Sequence, residues 1–283
     1  MNYRHAYHAG NFADVVKHAV LARVLTYMKL KPQPFRIIDT HAGAGRYDLR
    51  GSEAGKTNEW RDGIERIIDT DLTEGAGLLL APYLEAVRSV NTRHALDAYP
   101  GSPLIARFLK RKDDHLIANE LYGEDFAALA RELGKEPGTN ALNLDAWVAL
   151  KSLLPPPERR GVVLIDPPFE KPDDFERLVS ALGDAWKRFA TGVYLIWYPV
   201  KDHAAANRFV QGVAGLGWRK ILDVRLKVAS PFAGLGLTET GLMIINPPFG
   251  LKAELEMLLP FLVDRLSEGR GAGFQLSEPG GSL

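Results

Sequence analysis

A chain of 283 residues, 46% hydrophobic and 25% charged, has the composition of an ordinary folded protein and the length for one large α/β domain with an insertion, or for two smaller domains. The absence of cysteine excludes disulfides, thiolate metal sites and cysteine nucleophiles, and it fits a reducing cytoplasm. A formal net charge of zero argues against a general nucleic-acid binder, no apolar run approaches a membrane span, and Met1-Asn2-Tyr3-Arg4-His5 lacks the apolar core of a secretory signal; a soluble, cytoplasmic protein is expected.

The charge is unevenly spread. Residues 1–36 carry Arg4, Lys17, Arg23, Lys29, Lys31 and Arg36 against the single acid Asp14, with His5, His8 and His18 among them. Such a patch can hold a phosphate backbone, and it can equally be a solvated helix face. Asn11 is placed to cap a helix reaching about residue 30, with Phe12, Val15, Val16, Ala19 and Val20 at helical spacing and Pro32 and Pro34 closing it. Residues 35–39 read as a short buried strand ending in Asp39, followed by the Gly-rich turn Thr40-His41-Ala42-Gly43-Ala44-Gly45. Residues 46–100 hold helical patterns at 58–68 and 78–90 and read as an inserted helical subdomain. It separates the N-terminal segment and first strand (1–45) from the remainder of the domain (101–268).

Beyond the turn Pro100-Gly101-Ser102-Pro103, helical and strand patterns alternate. Helices are predicted at 104–110, 122–133, 146–153 and 173–189, the last with Phe175, Leu178, Val179, Leu182, Trp186 and Phe189 on one stripe. Strands are predicted at 115–120, 141–144, 161–165, 193–198, 221–228 and 242–246, with a short helical stretch before Trp218. Counted with 35–39 these make seven strands, and their alternation with helices predicts a doubly wound α/β sheet covered on both faces. The Gly- and Ser-rich residues 269–283 are expected to form a flexible tail.

Three features carry chemistry. In the turn after Asp39, Gly43 and Gly45 allow close backbone approach to a ligand, but Asp48 stands where a dinucleotide fingerprint needs a third glycine. That favours a nucleoside ligand without a pyrophosphate, such as S-adenosylmethionine. The second feature is Asp166-Pro167-Pro168-Phe169 directly after a buried strand. Two prolines lock φ and remove two backbone donors, so the Asp166 carboxylate and the Pro167 carbonyl can accept both N–H groups of an exocyclic amine. Phe169 offers a face to an extruded base. Asn246-Pro247-Pro248-Phe249 competes for this role, but Asn246 ends the seventh strand, placed beside the expected sheet edge, whereas Asp166 ends the fourth, next to the first strand in a doubly wound sheet. Catalysis is therefore assigned to Asp166, and Asn246 is read as a structural turn. The third feature is the strand-end acids. Glu120 is placed for ribose hydroxyls and Asp145 for an adenine amine, although each alone could be a solvated strand end. No His/Asp/Glu cluster has metal-ligand spacing.

Together these residues resemble the Rossmann-like N6-adenine amino-methyltransferases. The stretch Tyr3-Arg4-His5-x-x-His8-Ala9-Gly10-Asn11-x-Ala13-Asp14-Val15-x-Lys17-His18 resembles more narrowly the ribosomal RNA large subunit methyltransferase J family, as do residues 39–47, Tyr99-Pro100-Gly101-Ser102-Pro103 and Trp197-Tyr198-Pro199. The resemblance implies N6 methylation of an adenosine in 23S ribosomal RNA; the expected partner is that RNA, protein-free or in early assembly, and the expected state is a monomer. The resemblance also implies S-adenosylmethionine contacts from His18, His41, Ser102, Glu120, Asp145, Ala146 and Asp166, with Tyr3 meeting the RNA. From the residues themselves, His18 on an apolar helix could as well be a satisfied core histidine. Lys17, in the same segment, is assigned with Tyr3 to the substrate. A DNA adenine methyltransferase would use the same loop, methylation of a protein glutamine amide more usually has Asn-Pro-Pro-aromatic, and a catalytically silent RNA-binding scaffold could keep the fold.

Overall fold

A computed structural model describes residues 4–92, 95–231 and 236–280. The chain opens with α1 (Phe12–Met28) and β1 (Arg36–Asp39). Next come β2 (Arg46–Asp48), α2 (Ala54–Thr57), α3 (Gly75–Ser89) and β3 (Ala98–Pro100). The order continues through α4 (Ser102–Leu109), β4 (His115–Asn119), α5 (Gly123–Leu133), β5 (Thr139–Leu142), α6 (Ala146–Leu153) and β6 (Gly161–Ile165). The last third holds α7 (Asp174–Phe189), β7 (Val193–Pro199), α8 (His203–Ala214), β8 (Ile221–Lys227), β9 (Glu239–Ile245), α9 (Leu251–Leu266) and β10 (Gly273–Ser277).

The central sheet has the order β10-β8-β9-β7-β6-β1-β4-β5, with β2 and β3 forming a separate antiparallel ribbon. Strands β5, β4, β1, β6 and β7 run parallel, while β9 is antiparallel to both β7 and β8. The strand order reverses between β1 and β6, the crevice where doubly wound sheets bind ligands. Side chains alternate across the sheet at period two. Ile37, Val162, Leu164 and Leu195 join the face covered by α1, α3, α4 and α9, while Ile38, Val163, Ile165 and Ile196 join the face covered by α6, α7 and α8. Each such side chain, fully buried, contributes about 1.5–3 kcal/mol.

Helix α1 is buried almost all round, because α3, α4 and α9 enclose it against the sheet. The carboxamide of Asn11 accepts from the Asp14 N–H at 3.0 Å, as its N-cap assignment requires.

Three expectations are corrected. The sheet has eight strands, because the segment expected as a flexible tail contains β10, which pairs antiparallel with β8 from Gly273 to Ser277. Within a Gly-rich context, Phe274 and Leu276 still alternate with polar residues, and their strand covers what would be an open sheet edge. Second, residues 46–100 do not close a core of their own. Trp60, Ile64, Leu80, Tyr83, Leu84 and Tyr99 join the same cluster as α1. Third, the helix expected at 58–68 is replaced by two short 3-10 turns, Glu59–Arg61 and Ile64–Arg66. Gly63 between them lies so close to the N-terminal segment that a Cβ there would fall 2.0 Å from the Gly10 carbonyl oxygen, to which Ile64 donates at 2.8 Å.

Candidate active site

The parallel registers pair Asp39 with Ala118 of β4 and with Leu164 of β6. Asp39, Glu120 and Asp166 therefore arrive at one carboxyl edge. Asp39 is buried and accepts from the Ser102 hydroxyl at 2.6 Å and the His41 N–H at 3.3 Å. Burial pushes its pKa up to about 7 against the Ser102 hydrogen bond. The turn that follows is set by Gly43, whose φ of 62° is strained for a larger residue, and a Cβ there would also displace the Tyr47 hydroxyl. The Gly43 N–H donates to Glu120 Oε2 at 2.8 Å, and the Tyr122 N–H donates to Oε1 at 2.8 Å. Buried Asn119, one residue before Glu120, donates to the carbonyls of Thr40 at 3.1 Å and Leu144 at 3.0 Å, tying the β1 and β5 loops together. Asp145 caps α6, with Oδ1 accepting from the N–H groups of Trp147 and Val148 at 3.0 and 3.2 Å. Ala146 starts that helix, in the first turn whose N–H groups lack an intrahelical partner.

This edge opens on one cavity of about 420 Å³, within the size range of small-molecule sites. Its wall includes Lys17, His18, His41, Gly43, Ser102, Glu120, Asp145, Ala146, Trp147, Asp166, Pro167 and Pro168. Arg177 lies 5.1 Å over the Trp147 ring and its guanidinium is 3.8 Å from Asp145 Oδ2.

At one end of the cavity the charges are buried. The Lys17 ammonium, 4% exposed, bridges Asp14 at 2.8 Å and Asp166 Oδ2. His5 Nε2 lies 3.0 Å from the same Asp14, which also accepts from the Gly10 N–H at 2.9 Å. Burial works to lower the Lys17 pKa, but the two carboxylates outweigh it and raise the pKa above its ordinary value. For Asp14 burial works upward, and His5 and Lys17 hold it well below the usual carboxylate range. Beside them His18, 1% exposed, is pushed down to about 3 by burial. Its Nδ1 is 2.7 Å from the Tyr99 hydroxyl, and its Nε2 is buried without a hydrogen-bond partner.

Most of the sequence-assigned residues thus converge: His18, His41, Ser102, Glu120, Asp145, Ala146, Asp166 and Pro167 share the cavity. Lys17 converges too, but as a buried partner of Asp166 and not as part of a surface for RNA phosphates. The surrounding basic segment is likewise drawn into ion pairs, Arg4 with Glu53 and Glu124, Arg23 with Glu254, and Arg36 with Glu158. Phe169 is not in the cavity wall. Its ring packs on Phe175 and Trp197, with centroids at 4.8 and 5.8 Å, and its φ of 50° is uncommon outside glycine and marks a constrained loop. Tyr3 lies outside the described residues. Asn246 is excluded for a different reason than expected. Strand β9 lies inside the sheet and not at its edge, but it runs antiparallel, so Ile245 pairs with Tyr194 near the start of β7 and Asn246 emerges at the opposite edge. There its amide donates to the carbonyls of Ala190 and Gly192 at 2.8 and 2.7 Å. Asn119, Asp14 as partner of Lys17, and Trp147 with Arg177 were not assigned from sequence. Only the position of Asn119 beside a strand-end acid hinted at a role.

A doubly wound sheet whose acid-ended strands and Asp-Pro-Pro loop close on one cavity defines a Rossmann-like methyltransferase. Residues 32–276 match the family model described as "Ribosomal RNA large subunit methyltransferase D, RlmJ". The protein named Ribosomal RNA large subunit methyltransferase J in Escherichia coli (strain K12) is 41% identical over 266 residues, 94% of each chain. Its namesake in Haemophilus influenzae is 40% identical over 275 residues, 96% of each chain. A crystal structure of a Legionella pneumophila protein superimposes with a TM-score of 0.88 at 30% identity, covering 97% of this chain and 99% of that one. The chain belongs to this family of large-subunit ribosomal RNA methyltransferases. Among the described residues no helix is long and apolar enough to cross a membrane.

Proposed function

We propose that the protein transfers the methyl group of S-adenosylmethionine to N6 of an adenosine in 23S ribosomal RNA, and that it acts in the cytoplasm where that RNA is assembled. The observation that carries this is the Asp166-Pro167-Pro168 loop at the switch point, facing the same cavity as Glu120, Asp145 and Ala146. The donor set fits the cofactor. Glu120 can accept from ribose hydroxyls, Asp145 Oδ2 from the adenine amine, and the Ala146 N–H can donate to a ring nitrogen, while His18, His41 and Ser102 line the remainder. The unpartnered His18 Nε2 is a polar atom that a bound ligand would satisfy. When bound, S-adenosylmethionine supplies an electrophilic methyl group on a sulfonium.

The protein's own contribution is alignment. Lys17 occupies Asp166 Oδ2, which leaves Oδ1 and the Pro167 carbonyl to accept the two N–H groups of the target amine. Accepting both draws the nitrogen toward tetrahedral geometry and releases its lone pair from the ring. Phe169, clamped by Phe175 and Trp197, offers an aromatic surface beside these acceptors. Tyr3 is proposed to contact the RNA, and Lys17 to act on the substrate through Asp166.

The test is methyl transfer from labelled S-adenosylmethionine to protein-free 23S ribosomal RNA, with genomic DNA in parallel and mass spectrometry of the digested nucleosides. N6-methyladenosine from the RNA alone is expected. Label in DNA alone overturns the substrate, and label in neither favours a protein amide or a silent scaffold. Asp166→Ala should abolish transfer while leaving weakened cofactor binding; full activity in that variant refutes the assignment.

A further inference from the structure

His18, Tyr99 and Tyr83 form a chain of buried polar atoms with one open end. His18 Nδ1 is 2.7 Å from the Tyr99 hydroxyl, which is 2.9 Å from the Tyr83 hydroxyl. Both tyrosines are fully buried, and the Tyr83 hydroxyl has no other hydrogen-bond partner among the described residues. Tyr83 lies in α3 and Tyr99 in β3, so both come from the inserted segment, whereas His18 lies in α1 and lines the cavity.

Two His18 tautomers are open to this chain, and with Nδ1 protonated one tyrosine hydroxyl proton is left over whichever tyrosine donates to the other. In the first, His18 Nδ1–H donates to Tyr99 and Tyr99 donates to Tyr83. The Tyr83 O–H is then a buried donor with nowhere to go, and such a donor carries its full desolvation penalty. In the second, Tyr83 donates to Tyr99 and Tyr99 donates to an unprotonated Nδ1. Every hydroxyl proton is then placed, and the one remaining donor is His18 Nε2–H, buried and without a protein partner on a residue that lines the cavity. Burial keeps the imidazole neutral, so a single ring proton has to be placed.

We propose that Tyr83 and Tyr99 are positioning residues that fix His18 as the Nε2–H tautomer, so that it donates to the carboxylate of the cofactor's amino-acid end. This rests on the methyltransferase assignment of the cavity. With ribose and adenine matched to Glu120 and Asp145–Ala146, the amino-acid portion remains for the His18 end. That portion carries an ammonium, which cannot accept, and a carboxylate, which can.

The test combines NMR with binding. Nitrogen-15 spectra of the wild-type imidazoles should show His18 protonated at Nε2 and unprotonated at Nδ1; the opposite tautomer overturns the proposal, whatever the cofactor. By calorimetry, Tyr99→Phe should weaken S-adenosylmethionine binding on the order of tenfold, the scale of a hydrogen bond to a charged group. Decarboxylated S-adenosylmethionine, which keeps the ammonium, should bind that variant as it binds wild type. Tyr83→Phe should show the same selectivity with a smaller loss. In His18→Gln the side-chain amide supplies its own donor, so adding Tyr99→Phe should cause no further loss. Equal weakening of both ligands would assign the tyrosines to packing alone and overturn the relay. Failure of wild type to bind S-adenosylmethionine would refute the cofactor reading instead, with the tautomer still read by NMR.

Discussion

Lys17 is an ammonium removed from water and held by two carboxylates, so its removal costs more than its own contacts. Lys17→Met leaves the buried Asp14 and the partly buried Asp166 without their shared ammonium, and breaking a buried pair in this way costs about 3–5 kcal/mol. Urea denaturation should show that loss, and Asp14→Asn added to Lys17→Met should recover part of it, because the two residues act as one unit. His18 makes a second prediction. Its folded pKa is depressed to about 3 from an ordinary value near 6.5. As pH falls from about 6.5 toward 3 the unfolded chain takes up a proton that the folded chain refuses, so this contribution is present above pH 6.5 and lost on acidification. The stability difference between wild type and His18→Asn should therefore shrink as the pH is lowered through that window. A difference that stays constant from pH 6.5 to pH 4 would show that His18 is protonated in the fold.

Among the elements, α1 depends on its cap and the sheet on its last strand. Asn11 both accepts from Asp14 and donates to Glu59 at 2.9 Å. Asn11→Ala should cost about 1–2 kcal/mol, measured as a shift in denaturation midpoint at unchanged slope. Truncation after residue 270 removes β10 and uncovers the edge of β8. The shortened chain should melt at lower temperature and show concentration-dependent association by light scattering; an unchanged, monodisperse product would mean that β10 contributes nothing. These two elements also show what the amino-acid order discloses. The strand-end acids, the α1 cap and the parallel half of the sheet were legible, because buried strands, caps and Gly-rich turns are local signals. The direction of β9 was not, since hydrophobic alternation looks the same in a parallel and an antiparallel strand. Nor was the burial of Lys17, which depends on Asp166 arriving from 149 residues away. Strand β10 was hidden by the glycines around Phe274 and Leu276, and the half-buried position of Phe169 depends on Phe175 and Trp197. The charge of residues 1–36 is plain in the sequence, but its acid partners Glu53, Glu124, Glu158 and Glu254 lie in distant parts of the chain.

At the scale of the molecule, the inserted segment, α1 and one face of the sheet share a single core. Hydrogen exchange should therefore protect the α3 amides as long as those of β1, since both open only with the whole structure. Early exchange of α3 would reveal an independent subdomain. The same continuity limits how this enzyme can be recombined. A segment that supplies Tyr83 and Tyr99 to the buried side of His18 is no detachable specificity module. Chimeras that exchange residues 46–100 between relatives should keep methyl-donor affinity only when both hydroxyls travel with the graft, so divergence in RNA preference has to be sought in the outer surface of the segment while its inner face stays constant.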